Sequence, residues 1–157
     1  MLPDELKNFT AAAALNDWDA ACIVTGRHDR SELTLEIDPP RIVGVCRFLK
    51  DSQQYVRLST VTGVDRYPAE PRFEVVYHLQ SVERNERLRL KCRLAGGNPE
   101  IDSVTGVWRA ANWYERETFD LFGISFRNHP DLRRIMLTED FEGHPLRKDF
   151  PVTGWRV

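Results

Sequence analysis

The densest group of ionisable side chains in the sequence is the run Glu115-Arg116-Glu117, followed by Asp120. Two carboxylates at helical spacing can serve as a general acid and a general base. On a helix, Arg116 and Asp120 would lie one turn apart and could pair, while Glu115 would face the apolar side. Because a partly buried glutamate beside an arginine is more often an anchor, we favour a structural role for this group.

Four side chains of the C-terminal region have the chemistry of metal ligands: His129, Asp131, His144 and Asp149. Their spacing fits no standard site, because no H-E-x-x-H or comparable tight pair occurs. The dipeptides His129-Pro130 and His144-Pro145 are typical of rigid turns instead. We therefore expect no metal site in this chain.

Other catalytic fingerprints are absent from the sequence. It contains no G-x-S-x-G turn for a nucleophile, no G-x-G-x-x-G after a strand and no G-x-x-x-x-G-K-[ST]. Cys22, Cys46 and Cys92 are far apart and form no C-x-x-C pair, so we expect free buried thiols in a reducing compartment rather than a zinc or iron–sulfur site. The sequence predicts no active site of its own.

The composition is that of an ordinary globular domain, with 41% hydrophobic and 29% charged residues. A net charge of −2 argues against a nucleic-acid binder, which carries a marked basic excess. No apolar run reaches the roughly 20 residues of a membrane helix, and the acidic N-terminus resembles neither a secretory signal nor a transit peptide. We expect a cytoplasmic protein, or one held on the cytoplasmic face of a larger assembly.

Hydrophobic periodicity predicts three helices that would position the charged groups. The first covers residues 2–15. The second starts at Asp38-Pro39-Pro40, where an N-cap carboxylate precedes prolines, and its apolar stripe consists of Ile42, Val45, Cys46 and Leu49. The third covers residues 104–122, with Ser103 as N-cap and Gly123 as left-handed C-cap.

Alternating apolar residues predict strands over residues 32–38, 54–62, 73–82 and 86–94. The link at 83–86 reads as a hairpin turn in which Asn85 tolerates a positive φ. We place Tyr77 opposite Cys92, so that both apolar sets share one side. The element order predicts an α+β fold, with helices packed on a mostly antiparallel or mixed sheet of about four strands and a long irregular C-terminal tail.

The fourth predicted strand carries four cations on its polar face: Arg87, Arg89, Lys91 and Arg93. This stripe could bind a partner. It could equally be a solvated strand face whose charges discourage edge-to-edge pairing, and we favour that interpretation.

Residues 127–157 show no clear hydrophobic periodicity and contain three of the nine prolines. Ordering this backbone costs about 1–2 kcal/mol per residue, or about 30–60 kcal/mol in all. Burial of its large apolar side chains returns only about 15–30 kcal/mol. We therefore divide the chain into an α+β domain (1–126) and an extended docking tail (127–157) that lies along its own domain or along a partner.

The last helix and the tail resemble a known family. The matching motifs are Glu115-Arg116-Glu117-x-x-Asp120-Leu121-Phe122-Gly123-Ile124-x-Phe126-x-x-His129-Pro130, Asp131-Leu132-Arg133-Arg134-Ile135 and Asp140-Phe141-x-Gly143-His144-Pro145-Leu146-Arg147-Lys148-Asp149-Phe150-Pro151. They look like the signature of the 30 kDa subunit family of respiratory NADH:quinone oxidoreductase, or complex I. Upstream, Val64-Asp65, Phe73-x-Val75-x-Tyr77 and Trp108-x-Ala110-Ala111-x-Trp113 are also similar to it, and Phe141 departs from the tryptophan that is common in such sequences.

The resemblance implies an α+β domain with an extended C-terminal segment in the hydrophilic arm of that enzyme. The implied neighbours are the 49 kDa-type subunit, the subunit with the terminal iron–sulfur cluster and the large cluster-bearing subunit. FMN and the iron–sulfur clusters would belong to these partner subunits. The chain would act in a hetero-oligomer that passes electrons from NADH to quinone and pumps protons, and it would support the quinone-reducing module on the cytoplasmic face of a bacterial inner membrane.

On this resemblance we expect the interface to lie between Glu115 and Asp149. We expect the cluster Glu115, Arg116, Glu117 and Asp120 to pin the helix to the start of the tail. Arg133, Arg134, Arg147 and Lys148 would meet acidic groups on the tail's surface or on the large neighbour. The remaining signature residues that we assign to the interface are Gly123, His129, Pro130, Gly143, Pro145 and Asp149.

Three alternatives stay open. Related complexes, such as energy-converting hydrogenases, formate hydrogenlyase and dehydrogenases with other donors, contain a similar subunit, and this sequence does not reveal the donor. A free-standing enzyme would use Glu115 with His129 or His144 as acid and base. An adaptor would bind acidic proteins through the stripe from Arg87 to Arg93.

Overall fold

The chain folds as an α+β protein, as the sequence predicts, and the computed structural model describes residues 3–151 and 153. The helices are α1 (Thr10–Asp19), α2 (Ile42–Gln53) and α3 (Ala111–Phe122). The strands are β1 (Ile23–Asp29), β2 (Glu32–Ile37), β3 (Arg57–Asp65), β4 (Phe73–Ser81), β5 (Glu86–Leu94), β6 (Glu100–Asp102) and β7 (Ser125–Arg127). Short 3-10 turns cover Asp4–Leu6, Ala20–Cys22 and Pro39–Arg41.

The first five strands form one mixed sheet in the order β1-β2-β5-β4-β3. β2 and β5 run parallel, whereas the other neighbours are antiparallel. The short strands β6 and β7 pair separately. The prediction of about four strands misses β1, because this edge strand buries only Ile23 and so lacks an alternating pattern.

The hairpin of β4 and β5 has a different register from the predicted one. Tyr77 lies opposite Leu90, and Cys92 lies opposite Val75. The predicted pairing of Tyr77 with Cys92 is therefore wrong by two residues, because the turn begins one residue earlier than expected. A shift of two leaves every side chain on its predicted face, and Asn85 adopts the expected positive φ of 49°.

The main core lies between one face of the sheet and the helices α1 and α2. Leu15 of α1 and the predicted stripe of α2 are buried in the same cluster as the apolar residues of β2, β4 and β5. Cys22, Cys46 and Cys92 are free and buried, which confirms buried thiols. In the described part of the chain, no helix is long and apolar enough to cross a membrane.

The first two helices begin later than predicted. Phe9 has an extended backbone with ψ 117°, so a short turn and then α1 replace one helix over 2–15; residues 1 and 2 lie outside the described residues. The side chain of Asp38 makes no capping hydrogen bond. Its carboxylate pairs with Arg41 at 3.5 Å instead, and a 3-10 turn containing both prolines leads into α2.

The third helix begins at Ala111 and not at residue 104. Residues 104–110 form successive turns, so Ser103 is not the N-cap of α3. Its hydroxyl accepts the Thr105 N–H at 3.1 Å and donates to the Glu115 carboxylate at 2.6 Å. The helix ends as predicted at Gly123, which has a φ of 71° and donates its N–H to Phe119. α3 packs beside β3, where Gly63 leaves room for the ring of Phe122.

Candidate docking interface

The carboxylate of Asp120 holds the first part of the tail against α3. Its side chain is fully buried. One oxygen accepts a hydrogen bond from Arg134 Nη1 at 2.7 Å. The other accepts the backbone N–H groups of Ile135, Met136 and Leu137 at 3.0, 2.8 and 2.9 Å. One side chain of the helix therefore fixes four consecutive residues of the tail.

The carbonyl groups at the end of α3 bind a second part of the tail. Arg147 donates from Nε to Phe122 O at 2.6 Å, and His144 donates from Nδ1 to Asp120 O at 2.8 Å. The last carbonyls of a helix lack partners within the helix, and cations near this end are favoured by the helix dipole. The tail thus completes the C-terminus of α3.

Gly123 is required where the tail crosses the end of α3. Its φ of 71° is left-handed, and a Cβ there would lie 2.5 Å from the His144 ring and 2.6 Å from the Arg147 guanidinium. Both the backbone conformation and the close approach therefore favour glycine. The structure gives this predicted interface residue a role in letting the tail pass close to the helix.

A third anchor joins the end of the described tail to the link between β3 and β4. Arg72 donates to both oxygens of Asp65 at 2.9 and 2.8 Å and to both oxygens of Asp149 at 2.9 and 2.6 Å. The backbone N–H of Lys148 also donates to Asp65 at 2.8 Å. These hydrogen bonds, of which those from Arg72 have the largest effect, hold the pKa of the Asp65 carboxyl well below its usual range.

Arg116 contacts the tail but does not pair with Asp120. It donates to the carbonyls of Arg133 and Arg134 at 3.1 and 3.2 Å, and its guanidinium lies 5.3 Å from the centre of the Trp113 ring. The expected pairing across one helical turn is wrong, because both oxygens of Asp120 are occupied by tail groups. Arg116 and Asp120 thus bind the tail from adjacent turns of α3.

Glu115 and Glu117 do not pin the tail, contrary to expectation. Glu115 is fully buried and accepts hydrogen bonds from the Ser103 hydroxyl at 2.6 Å and from the Val104 N–H at 2.8 Å. It therefore fastens the segment before α3. Glu117 is exposed to solvent, since its position on the helix points away from both the core and the tail.

Glu115 and His129 are the pair that a free-standing enzyme would use as acid and base. Burial raises the pKa of Glu115 to about 7, although the hydrogen bonds from Ser103 and Val104 oppose this. His129 Nε2 lies 3.9 Å from Glu115, and neither side chain has exposed surface. A substrate cannot reach this pair without rearrangement.

The imidazole of His129 is held neutral. Its Nε2 donates to the Asn112 carbonyl at 3.2 Å, and its Nδ1 accepts the N–H of Asp131 at 3.0 Å. Burial lowers the pKa of His129, and the nearby Arg116 lowers it further. His129 is thus a connector between α3 and the start of the tail.

Substitution of Glu115 by glutamine should change how stability depends on pH. Because the folded pKa is raised above the unfolded value of 4.5, the contribution of Glu115 is fully present below that value and is lost as pH rises through about 7. The loss is about 2–4 kcal/mol. We expect the difference in unfolding free energy between Glu115→Gln and wild type to favour the variant increasingly from pH 5 to pH 8, as measured by urea denaturation.

The comparison of Glu115→Gln with wild type cancels the effect of the histidines on the pH dependence of stability, which is opposite to that of Glu115. Burial lowers the pKa of His78, His129 and His144, so these groups make both proteins more stable as pH rises. Glu117→Gln is the matched control, because Glu117 is exposed. A pH-independent difference between Glu115→Gln and wild type would contradict the raised pKa.

The remaining predicted interface residues lie along the tail with varied roles. Arg133 is exposed and pairs with Asp131 at 2.9 Å. Gly143 has a φ of 83°, and its carbonyl accepts from Arg134 at 3.2 Å. Lys148 contributes only its backbone N–H, while its side chain is exposed. Of the four predicted cations, only Arg134 pairs through its side chain with a buried carboxylate among the residues that the structure describes.

The outer surface of α3 and the tail retains large apolar side chains. Trp113, Met136 and Leu146 are 60%, 65% and 50% exposed. Pro130 is exposed beside Trp113, where both line a groove of about 650 Å³, and Pro145 is half-buried. Exposed tryptophan and arginine side chains are common anchors of protein–protein interfaces, so this surface is suited to a partner.

The side chains with metal-ligand chemistry are used in other contacts. His129 and His144 donate to backbone carbonyls, and Asp149 pairs with Arg72. Within residues 3–151 and 153, no three His, Cys, Asp or Glu side chains are placed to hold a metal ion.

The role of Arg72 could not be recognised from the sequence. It lies outside the conspicuous charge clusters. Its partner Asp65 is seven residues away on the preceding strand, and its partner Asp149 is 77 residues away. Only the likeness of Val64-Asp65 to the family pointed to this region. The contact of Ser103 with Glu115 was also missed, because Ser103 looked like a helix cap.

Comparison with known proteins identifies relatives over most of the chain. Residues 35–156 match the family described as the respiratory-chain NADH dehydrogenase 30 kDa subunit. An NADH-quinone oxidoreductase subunit of Geotalea uraniireducens is 46% identical over 153 residues, covering 98% of this chain and 93% of that protein. An NADH-quinone oxidoreductase subunit of Rhizobium etli is 57% identical over 122 residues, or 76% of this chain, and the chain spans 65% of its length.

Two solved structures share the fold. A trypsin-resistant fragment of Nqo5 (1-134) has a TM-score of 0.67 at 28% identity, covering 76% of this chain and 97% of the fragment. A chain of the membrane-bound sulfane sulfur reductase, an archaeal respiratory membrane complex, has a TM-score of 0.78 at 26% identity, covering 89% of this chain and 83% of that one.

Proposed function

The chain belongs to the 30 kDa subunit family of the respiratory-chain NADH dehydrogenase, and on this basis we propose that it is a cofactor-free structural subunit of a proton-translocating NADH:quinone oxidoreductase. Its role is to support assembly of the quinone-reducing module. The observation that carries this proposal is the docked tail, which contacts with Asp120, with the end of α3 and with Arg72 hold against the domain.

The partners in this proposal are the 49 kDa-type subunit, the terminal iron–sulfur cluster subunit and the large cluster-bearing subunit. FMN and the clusters belong to these partners. The chain reaches the cytoplasmic face of a bacterial inner membrane through the complex. The proposed contact surface is the outer side of α3 and the tail, where Trp113, Met136 and Leu146 are exposed.

A shaped tail would help assembly for a physical reason. A segment that orders only on binding pays its conformational entropy at that moment and binds more weakly for the same area. Here the contacts of Asp120, Arg72 and Arg147 order the backbone beforehand. The subunit would therefore present its partner with a preorganised surface.

A second candidate is the equivalent subunit of a related complex with another electron donor, such as an energy-converting hydrogenase. The likeness to a chain of the sulfane sulfur reductase, with a TM-score of 0.78 at 26% identity, is the observation that favours it. The two candidates share the structural role and differ in the donor-binding subunit.

Substitution of Arg134 or Arg147 by alanine should impair assembly. Loss of Arg134 leaves the buried Asp120 carboxylate without its cation, which typically costs about 3–5 kcal/mol. Loss of Arg147 frees the carbonyls at the end of α3 and costs about 1.5–3 kcal/mol. Native electrophoresis should show less of either variant in the complex, while quinone reduction per assembled complex stays unchanged.

Arg47→Ala is the matched control. Arg47 is an exposed arginine of α2, outside the proposed contact surface of α3 and the tail, so the control should assemble normally. If Arg134→Ala assembled fully and lost only turnover, a structural role for the tail would be wrong.

A further inference from the structure

The second face of the five-stranded sheet carries a groove that the proposed interface does not use. It faces away from the core, because its side chains alternate with the buried ones along β4 and β5. Its volume is about 560 Å³. The polar side chains that line it include Glu32, Arg57, His78, Gln80, Arg87 and Arg89.

The register places one arginine on each side of this groove. Arg57 lies opposite Gln80, and Gln80 lies opposite Arg87, so the three residues form one row across β3, β4 and β5. Adjacent strands are about 4.8 Å apart, which puts the two arginine backbones about 10 Å apart. Arg89 and His78 form the next row on the same face.

The two ends of this sheet face differ in their charge balance. At one end, Lys91 and Arg66 pair with Glu74 at 3.2 and 3.1 Å, and Arg93 pairs with Glu36 at 3.2 Å. The carboxylates of the neighbouring strands thus neutralise most of the cations there.

At the other end, Arg89 pairs with Glu32, and it is the only cation there with a carboxylate partner in the described part of the chain. Arg57 and Arg87 are exposed and form no hydrogen bond or ion pair through their side chains with any residue that the structure describes. The groove therefore carries a positive excess on a chain whose net charge is −2. The expectation that the cations of β5 discourage edge-to-edge pairing is wrong, because β5 lies between β2 and β4 and is not an edge strand.

We propose that this groove docks an acidic segment of a neighbouring subunit, whose carboxylates pair with Arg57 and Arg87. The inference rests on the proposed function, since the neighbour is present only in the complex. Guanidinium groups bind carboxylates with two parallel hydrogen bonds. Acidic residues at positions i and i+2 of an extended segment project to one side about 7 Å apart, a spacing that the two flexible arginines can span.

Charge reversal in the full chain tests the proposal. The chain is expressed with its complex and carries Arg57→Glu together with Arg87→Glu. We expect at least about tenfold weaker retention in the complex, with dissociation at lower salt than for wild type, because a repulsive pair replaces each attractive one. Arg30→Glu together with Arg47→Glu is the matched control, since both residues are exposed and the charge change is identical.

A photo-crosslinking residue at position 80 gives a second readout that keeps both arginines. In the assembled complex it should capture a peptide rich in Asp and Glu from another subunit, as identified by mass spectrometry. Capture of a peptide without an acidic excess, or of none, would overturn the proposal. So would a charge-reversed variant that is retained as well as the control at every salt concentration.

The outcomes separate this proposal from the proposed function. If the wild-type chain recovers its complex and charge reversal has no effect, the groove is a solvated surface and the subunit role stands. If the wild-type chain recovers no other subunit, both proposals fail.

Discussion

Replacement of Asp120 by alanine is expected to release the tail from α3 and to lower the free energy of unfolding by about 3–5 kcal/mol. The variant loses the acceptor for Arg134 and for the N–H groups of Ile135, Met136 and Leu137. Backbone groups left buried without partners are costly. Hydrogen exchange should therefore be rapid at residues 135–137 in the variant and slow at the same residues in wild type.

The control for this prediction is Asp131→Ala. Asp131 is exposed, and its only ion pair among the described residues is with Arg133, so its loss should cost less than about 1 kcal/mol. If Asp120→Ala kept slow exchange at residues 135–137, the tail would be held by something other than this carboxylate.

The same carboxylate should make the tail sensitive to strong acid. Burial alone would raise the pKa of Asp120, but hydrogen bonds from Leu137, Met136, Ile135 and Arg134 outweigh it and lower the pKa below 3.8. The stabilisation is present above the unfolded pKa and is lost as pH falls through the folded one. At neutral pH the tail therefore stays docked.

Substitution of Arg72 by leucine is expected to be about as damaging, at about 3–5 kcal/mol. The side chain of Asp65 is 1% exposed, and it would lose the guanidinium that donates to both of its oxygens. Asp149 would lose its contact with the domain at the same time. Urea denaturation should show the loss of stability, and limited proteolysis should show cleavage near Asp149.

Arg66→Leu is the matched control, because Arg66 is 50% exposed and pairs with Glu74 from the rim of the sheet. It should cost less than about 1 kcal/mol. Asp65→Leu combined with Arg72→Leu should recover part of the loss, since no buried charge remains unpaired. Equal effects of Arg72→Leu and Arg66→Leu would contradict the role of Arg72 as an anchor.

Local patterns in the sequence were sufficient for much of the fold. β5 has its predicted bounds, α2 buries its predicted stripe, and Gly123 ends α3 as expected. Each of these features depends on residues that are close to one another in the sequence. β1 and the start of α3 were not predictable in this way. β1 is defined by its neighbour β2, and the turns at 104–110 depend on Glu115.

The site was predictable by region but not by contact. The charged residues of α3 and the tail pointed to an interface, yet the sequence could not show that Asp120 meets the tail while Glu115 faces Ser103. These two acids lie five positions apart and therefore on different sides of the helix, but helical spacing does not show which side the tail covers. The pairing of Arg72 with Asp149 spans 77 residues and follows only from the folded topology.

A native pull-down with a tag on the N-terminus tests the central claim most directly. The recovered protein would be read by mass spectrometry and by absorbance of flavin and iron–sulfur clusters. The subunit proposal predicts that flavin-bearing and cluster-bearing subunits co-purify with the chain at fixed stoichiometry, and the donor-binding subunit then identifies the complex. A chain that purifies alone, as a stable monomer, would contradict it.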